Sequence, residues 1–73
     1  MGMKERIKGN ISDLRMIFKD WLANNKGVQS REVDYLKGVL TNADTACDIG
    51  WLDVGQRGYE DALRIARKLG IVS

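Results

Sequence analysis

Six apolar residues, Ile7, Ile11, Leu14, Phe18, Trp21 and Leu22, are spaced 4, 3, 4, 3 and 1 along the chain. At about 100° per residue they share one narrow face of an α-helix, and Met3 joins them one turn earlier. In a strand the same residues would scatter to both faces, because side chains alternate there with a period of two. The stripe therefore commits residues 4–24 to a helix and leaves that helix needing apolar cover. Gly9 and Asn10 are poor helix formers, at a cost of about 1 kcal/mol for the glycine. The stripe passes them without a change of phase, so one continuous helix is expected. Asn24-Asn25-Lys26-Gly27 reads as its stop.

Two further stripes supply the cover. Ser30 is a good N-cap, with Glu32 in the turn that follows. Val33, Leu36, Val39, Leu40, Ala43, Ala46 and Cys47 then hold one face of a helix over 31–48. The small Ala43 and Ala46 imply a close helix–helix approach. Ile49-Gly50 should end this helix, with Trp51 and Leu52 covering the end of the core. Asp53 and Gln56 form a capping-box pattern that opens a third helix over 54–69. Tyr59, Ala62, Leu63, Ala66 and Leu69 line that helix, with Ile65 at the edge, and Glu60 with Arg64 reads as a supportive i, i+4 pair. Gly70 is a stop and Ile71 its hydrophobic follower. Three helices with short connections read as an all-α, small antiparallel three-helix bundle, a single domain over 1–73.

A chain of 73 residues buries only about 60% of its extended surface, so its core is marginal. Cys47 is the only cysteine and histidine is absent, which excludes an internal disulfide and an ordinary zinc site. The remaining source of stability is a second copy of the chain, most simply as a twofold homodimer, or a larger partner. No apolar run approaches the roughly 18 residues of a membrane span, and no apolar segment follows the charged start as in a signal peptide. Met1-Gly2 reads as a tag remnant or an alternative start, and a free thiol suits the cytoplasm.

The chemistry-bearing residues form no catalytic constellation. Cys47 lies on an apolar stripe with no base to activate it, so it reads as a buried structural thiol. Asp44, Asp48 and Asp53 are the densest carboxylates, but no glycine-bearing calcium loop surrounds them, and they read as helix surface and an N-cap. Gly50, Gly55 and Gly58 lack the strand and lysine of a phosphate loop, and read as turn and helix-stop glycines. Ala66-Arg67-Lys68-Leu69-Gly70-Ile71 has the form of a helix-turn-helix opening, with no recognition helix after it. No cofactor and no metal is expected, and the chain is read as no enzyme.

Charge distribution points to surfaces instead. Net charge is +3 over residues 1–27, −2 over 28–52 and +1 over 53–73, an acidic middle between basic ends. Lys4, Lys8, Arg15 and Lys19, spaced 4, 7 and 4, fall along one flank of the first helix. Glu5, Asp13 and Asp20 fall on another side. The row either engages an acidic partner, with Met16 or Trp21 as a hydrophobic anchor, or pairs with the acidic second helix. The leading expectation is a protein-binding module: a small regulator, inhibitor or adaptor occupying a surface of a larger protein. Its size class is common among phage and mobile-element products. A nucleic-acid-associated protein using the basic row is the first alternative, and an accessory subunit of an enzyme complex the second. No membrane partner is expected.

Phe18 and Leu40 sit at the centres of their stripes. Phe18→Ala and Leu40→Ala should each lower stability by about 2–5 kcal/mol, a large share of the total for so small a domain. Chemical denaturation checks this, and an unchanged midpoint would show the buried faces to be misassigned.

Overall fold

Three helices fold back on one another in the computed structural model: α1 (Met3–Asn24), α2 (Arg31–Asp48) and α3 (Leu52–Lys68). The structure describes residues 2–28 and 30–73. Met1, and with it the expected tag remnant or alternative start, lies outside them. The molecule measures 37 × 21 × 17 Å. Its long dimension matches a 22-residue helix of about 33 Å, so the helices lie side by side. Ion pairs join Lys8 to Asp48 and Arg15 to Asp44, and close contacts join Ala43 to Gly58 and Cys47 to Gly55. Both pairings run in opposite chain directions, so the bundle is antiparallel.

Each boundary has a local cause. Ser30 caps α2 by accepting a hydrogen bond from the Val33 N–H at 3.2 Å. At the end of α1 the Asn24 and Asn25 side-chain amides donate to the Asp20 and Trp21 carbonyls, the second of them an acceptor that the helix backbone leaves unpaired. α2 and α3 end in the same device. The Trp51 N–H reaches the Ala46 carbonyl and the Gly50 N–H the Cys47 carbonyl, at 2.8 and 3.1 Å. Ile71 and Gly70 repeat this with Ala66 and Arg67 at the same distances. Both turns are Schellman motifs and need a left-handed residue, which Gly50 (φ 90°) and Gly70 (φ 79°) supply.

The first of these turns reverses the chain so tightly that α3 starts at Leu52, two residues before the expected 54. Trp51 is its N-cap and makes no side-chain cap bond. The capping box expected of Asp53 is therefore not formed: Asp53 already lies inside the first turn, and Gln56 donates to Glu60 instead. The expected Glu60–Arg64 pair is replaced by an ion pair between Arg64 and Asp61. Asp61 is also the acceptor of the Tyr35 hydroxyl from α2, at 3.3 Å.

Ile7, Ile11, Leu14 and Phe18 of α1 and Val33, Leu36, Leu40, Ala43, Ala46 and Cys47 of α2 are buried as the stripes require. α3 presents Ala62, Ile65 and Ala66, with Leu63 and Tyr59 only partly covered, so its inner face is turned toward Ile65. Met3 does not extend the α1 stripe into the core: it is 64% exposed as the first residue of the helix. Trp51 does not cover the core end. The Schellman turn points it outward, 63% exposed, while Leu52 packs inward.

The turn of α3 has a cause in its glycines. Gly55 and Gly58 are not turn residues but helix interior, pressed on α2. A Cβ at Gly58 would lie 2.8 Å from the Ala43 Cβ, and one at Gly55 would strike the Cys47 Sγ. The absence of side chains here lets α3 seat on α2, and these two helices share the most extensive contact in the bundle. The expected close approach at Ala43 is thus present, with its partners on α3.

Gly9 and Gly38 have nothing within 4 Å of an added Cβ. Gly9→Ala and Gly38→Ala should each raise stability by about 0.5–1 kcal/mol through helix propensity. Gly55→Ala and Gly58→Ala should lower it by about 1–3 kcal/mol through overpacking, and Cys47→Ala should partly rescue Gly55→Ala. Thermal melts of the five variants and the double mutant check both signs.

Candidate functional site

Among the described residues no polar or charged residue is buried, and no buried polar side-chain atom lacks a partner. The interior therefore offers no polar machinery, and the distinctive chemistry lies along the seam between α1 and α2. Antiparallel packing brings the basic flank of α1 against the outer edge of α2, and the two halves of that seam differ.

In the first half, acids meet the row. Lys8 makes an ion pair and hydrogen bond with Asp48 and approaches the Asp44 Oδ1 at 3.7 Å. Arg15 reaches the other oxygen of Asp44 at 3.8 Å. Asp44 and Asp48, one turn apart on α2, thus sit between cations of α1. The hydrogen bond from Lys8 holds the Asp48 carboxyl below its ordinary range, with the charges of Lys8 and Lys4 adding to it. The hydrogen bond to Asp48 and the charge of Asp44 raise the Lys8 ammonium, against a smaller opposing effect of burial. Among the described residues no three His, Cys, Asp or Glu gather as a metal set.

In the second half, the seam opens into a groove. The buried Phe18 and Leu40 and the part-buried Leu22 lie beneath it, and its walls carry Arg15 and Lys19 from α1 and Lys37 from α2. Met16, 61% exposed, stands at its edge, and Ser12 and Thr41 add hydroxyls. No carboxylate is among the described residues that line it. α2 places Asp44 and Asp48 toward its C-terminal end, while one and two turns earlier the same edge carries Thr41 and Lys37. Lys19 consequently faces a groove shared with another cation.

The six residues singled out from the sequence are thus divided. Arg15, Met16 and Lys19 come together in the groove, and Arg15 also reaches the acidic half. Lys8 belongs to the ion-paired half, and Lys4 lies toward it, its charge acting on Asp48. Trp21 does not line the groove. It packs on the core edge with its ring stacked against Phe18, centroids 6.5 Å apart. Lys37 escaped the sequence reading. Only the antiparallel register brings it in: eleven residues on from the Lys8–Asp48 pair, Lys37 comes to the level of Lys19.

A second trough, between α2 and α3, is floored by Ala43 and Gly58 and flanked by Arg57, Arg64, Glu60 and Asp61. Its charges are of both signs and partly cancel, as the sequence of the third helix suggests. Cys47 is fully buried, and burial, with the nearby Asp44 charge, pushes its thiol up, away from the reactive thiolate. No helix of the described residues is long and apolar enough to cross a membrane. Comparison of the chain with protein-family models, curated proteins and solved structures found no match.

Asp48, with its pKa depressed on folding, contributes stability that is present above the unfolded value and lost as pH falls through the folded one. Lys8, with its pKa raised, contributes stability that is present below its unfolded value and lost as pH rises through the folded one. The pair is fully charged between about pH 5 and pH 10. Melting of Asp48→Asn should therefore fall below wild type across that window, and the gap should close as the medium is acidified below about pH 4. A gap independent of pH would detach the pair from stability.

Proposed function

We propose that this chain is a non-enzymatic protein-binding module that engages an acidic surface of a larger protein through the α1–α2 groove. The observation that carries the reading is the groove itself: three cations on its walls, part-exposed Leu22 and exposed Met16 between them over the buried Phe18 and Leu40, and no acid among the described lining residues. Apolar contacts supply affinity and water exclusion, and surrounding charge supplies steering and choice of partner. Met16, beside the groove and mostly exposed, is a flexible side chain suited to fill a partner's irregular surface. The surface around the α2–α3 turn, where Ile49, Trp51 and Val54 are each more than half exposed, is left for a second copy of the chain. Sedimentation reads that contact, and a single species of monomer mass at all concentrations excludes it.

Charge reversal tests the partner reading, and the structure selects the residues. Lys8→Glu with Arg15→Glu would bring acids against Asp44 and Asp48 and so would report on folding. Lys19→Glu with Lys37→Glu leaves every ion pair of the seam intact. Immobilised wild-type protein should capture a protein from nuclease-treated lysate of the producing cells, and the Lys19/Lys37 double variant should lose that capture with its circular dichroism unchanged. Capture abolished by nuclease would transfer the groove to nucleic acid, whose binding falls steeply with salt.

A further inference from the structure

We infer that the α1–α2 groove is the seat of a fourth helix: its occupant is an acidic amphipathic α-helix of the partner protein. The inference rests on the protein-binding reading and names the partner's chemistry. A three-helix antiparallel bundle leaves open the outer furrow between two adjacent helices, and a helix laid there completes a four-helix bundle. Toward the start of α1 this furrow is closed by the ion pairs of Lys8 and Arg15 with Asp44 and Asp48. Beyond Lys8 the groove is lined from Ser12 to Leu22 on α1. That stretch rises about 15 Å, roughly three helical turns, so the occupant presents apolar residues at i, i+3 or i+4, and i+7 to Met16 and Leu22, which lie over the buried Phe18 and Leu40.

The charges select its flanks. Arg15 and Lys19 stand on one wall and Lys37 on the other, so a helix in the furrow has cations on both sides of its apolar stripe. Glu or Asp beside that stripe meets Lys19 on one flank and Lys37 on the other. In the free protein these two lysines line one groove with no acid among its described lining residues. An acidic helix supplies both with counter-charges on binding. A phosphate chain would satisfy the cations but leave Met16 and Leu22 without apolar cover.

Because the described ion pairs of the seam use Lys8 and Arg15 rather than Lys19 and Lys37, the two roles are separable by experiment. Lys37→Glu places an acid beside Lys19 and Arg15 and should raise the melting midpoint by about 1–4 °C, or leave it unchanged, since exposed pairs contribute little. The same substitution should weaken binding of the occupant. The probe is a synthetic 18-residue helical peptide with Leu at i, i+3, i+4 and i+7 and Glu flanking them. Its controls are a peptide of the same composition in shuffled order and a single-stranded oligonucleotide of equal charge. We expect the ordered peptide to bind at least tenfold more tightly than either control. Its amide shifts should centre on Arg15, Met16, Lys19 and Lys37, and Lys37→Glu should weaken it at least tenfold. Equal binding of the shuffled peptide, tighter binding of the oligonucleotide, shifts centred on the Trp51 turn, or no binding of the ordered peptide each overturns the fourth-helix seat. Nuclease-resistant capture lost in the Lys19/Lys37 variant, together with any of those results, leaves the protein-binding reading standing and removes only its helical occupant.

Discussion

The bundle depends on how closely α3 approaches α2. Gly55 and Gly58 meet Cys47 and Ala43 with no side chain of their own between the helices. Small residues continue along the same helix at Ala62 and Ala66, both fully buried. α1 does the opposite, offering Ile7, Ile11, Leu14 and Phe18 to the core. Bulk on one helix and its absence on another allow a 73-residue chain to fill its interior without a cavity-forming mismatch of shape. The glycines cost helix propensity, and the contact with α2 offsets it, because dispersion and apolar burial grow as backbones come together. The approach also seals Cys47. A thiol wedged beneath Gly55 is held by packing, and its raised pKa is a consequence of that burial.

α1 packs against both α2 and α3, and its basic flank falls along the outer edge of α2. Charge then divides that edge at Asp44. On one side Lys8, Arg15, Asp44 and Asp48 neutralise each other at the surface, where such pairs contribute little energy but favour one register over its alternatives. On the other side α2 offers Thr41 and Lys37, and the cations of α1 have no local acid in the groove. Where ions close the seam, apolar atoms beneath are sheltered. Where like charges line it, Met16 and part of Leu22 stay at the surface, while Phe18 and Leu40 beneath are buried. In the proposed reading folding and binding draw on the same row of lysines and arginines, and the placement of two aspartates on α2 allots each residue its share.

The sequence by itself determined the three helices, because a stripe with period 3.6 has one secondary structure that keeps it on one face. It determined the Ser30 cap and the Gly50 and Gly70 stops, whose effects act within a few residues. It placed Phe18, Leu40 and Cys47 in the core, since each lies in the middle of its stripe. It also assembled the basic flank, because spacings of 4, 7 and 4 are near-whole helical turns whatever the rest of the chain does.

Only the tertiary structure decided what depends on residues distant in the chain. Gly55 and Gly58 look like helix breakers along the sequence, and only the surface of α2 makes their missing side chains useful. Asp53 resembles a cap until the Schellman turn before it starts the helix at Leu52. Met3 and Trp51 are apolar at the ends of their elements, and the fold leaves both mostly exposed. Lys37 joins Arg15 and Lys19 through the antiparallel register alone, a relation between residues about twenty apart that periodicity within one helix cannot express. The groove arises from that register, because its apolar residues and cationic walls come from two helices whose sequences carry only one half each.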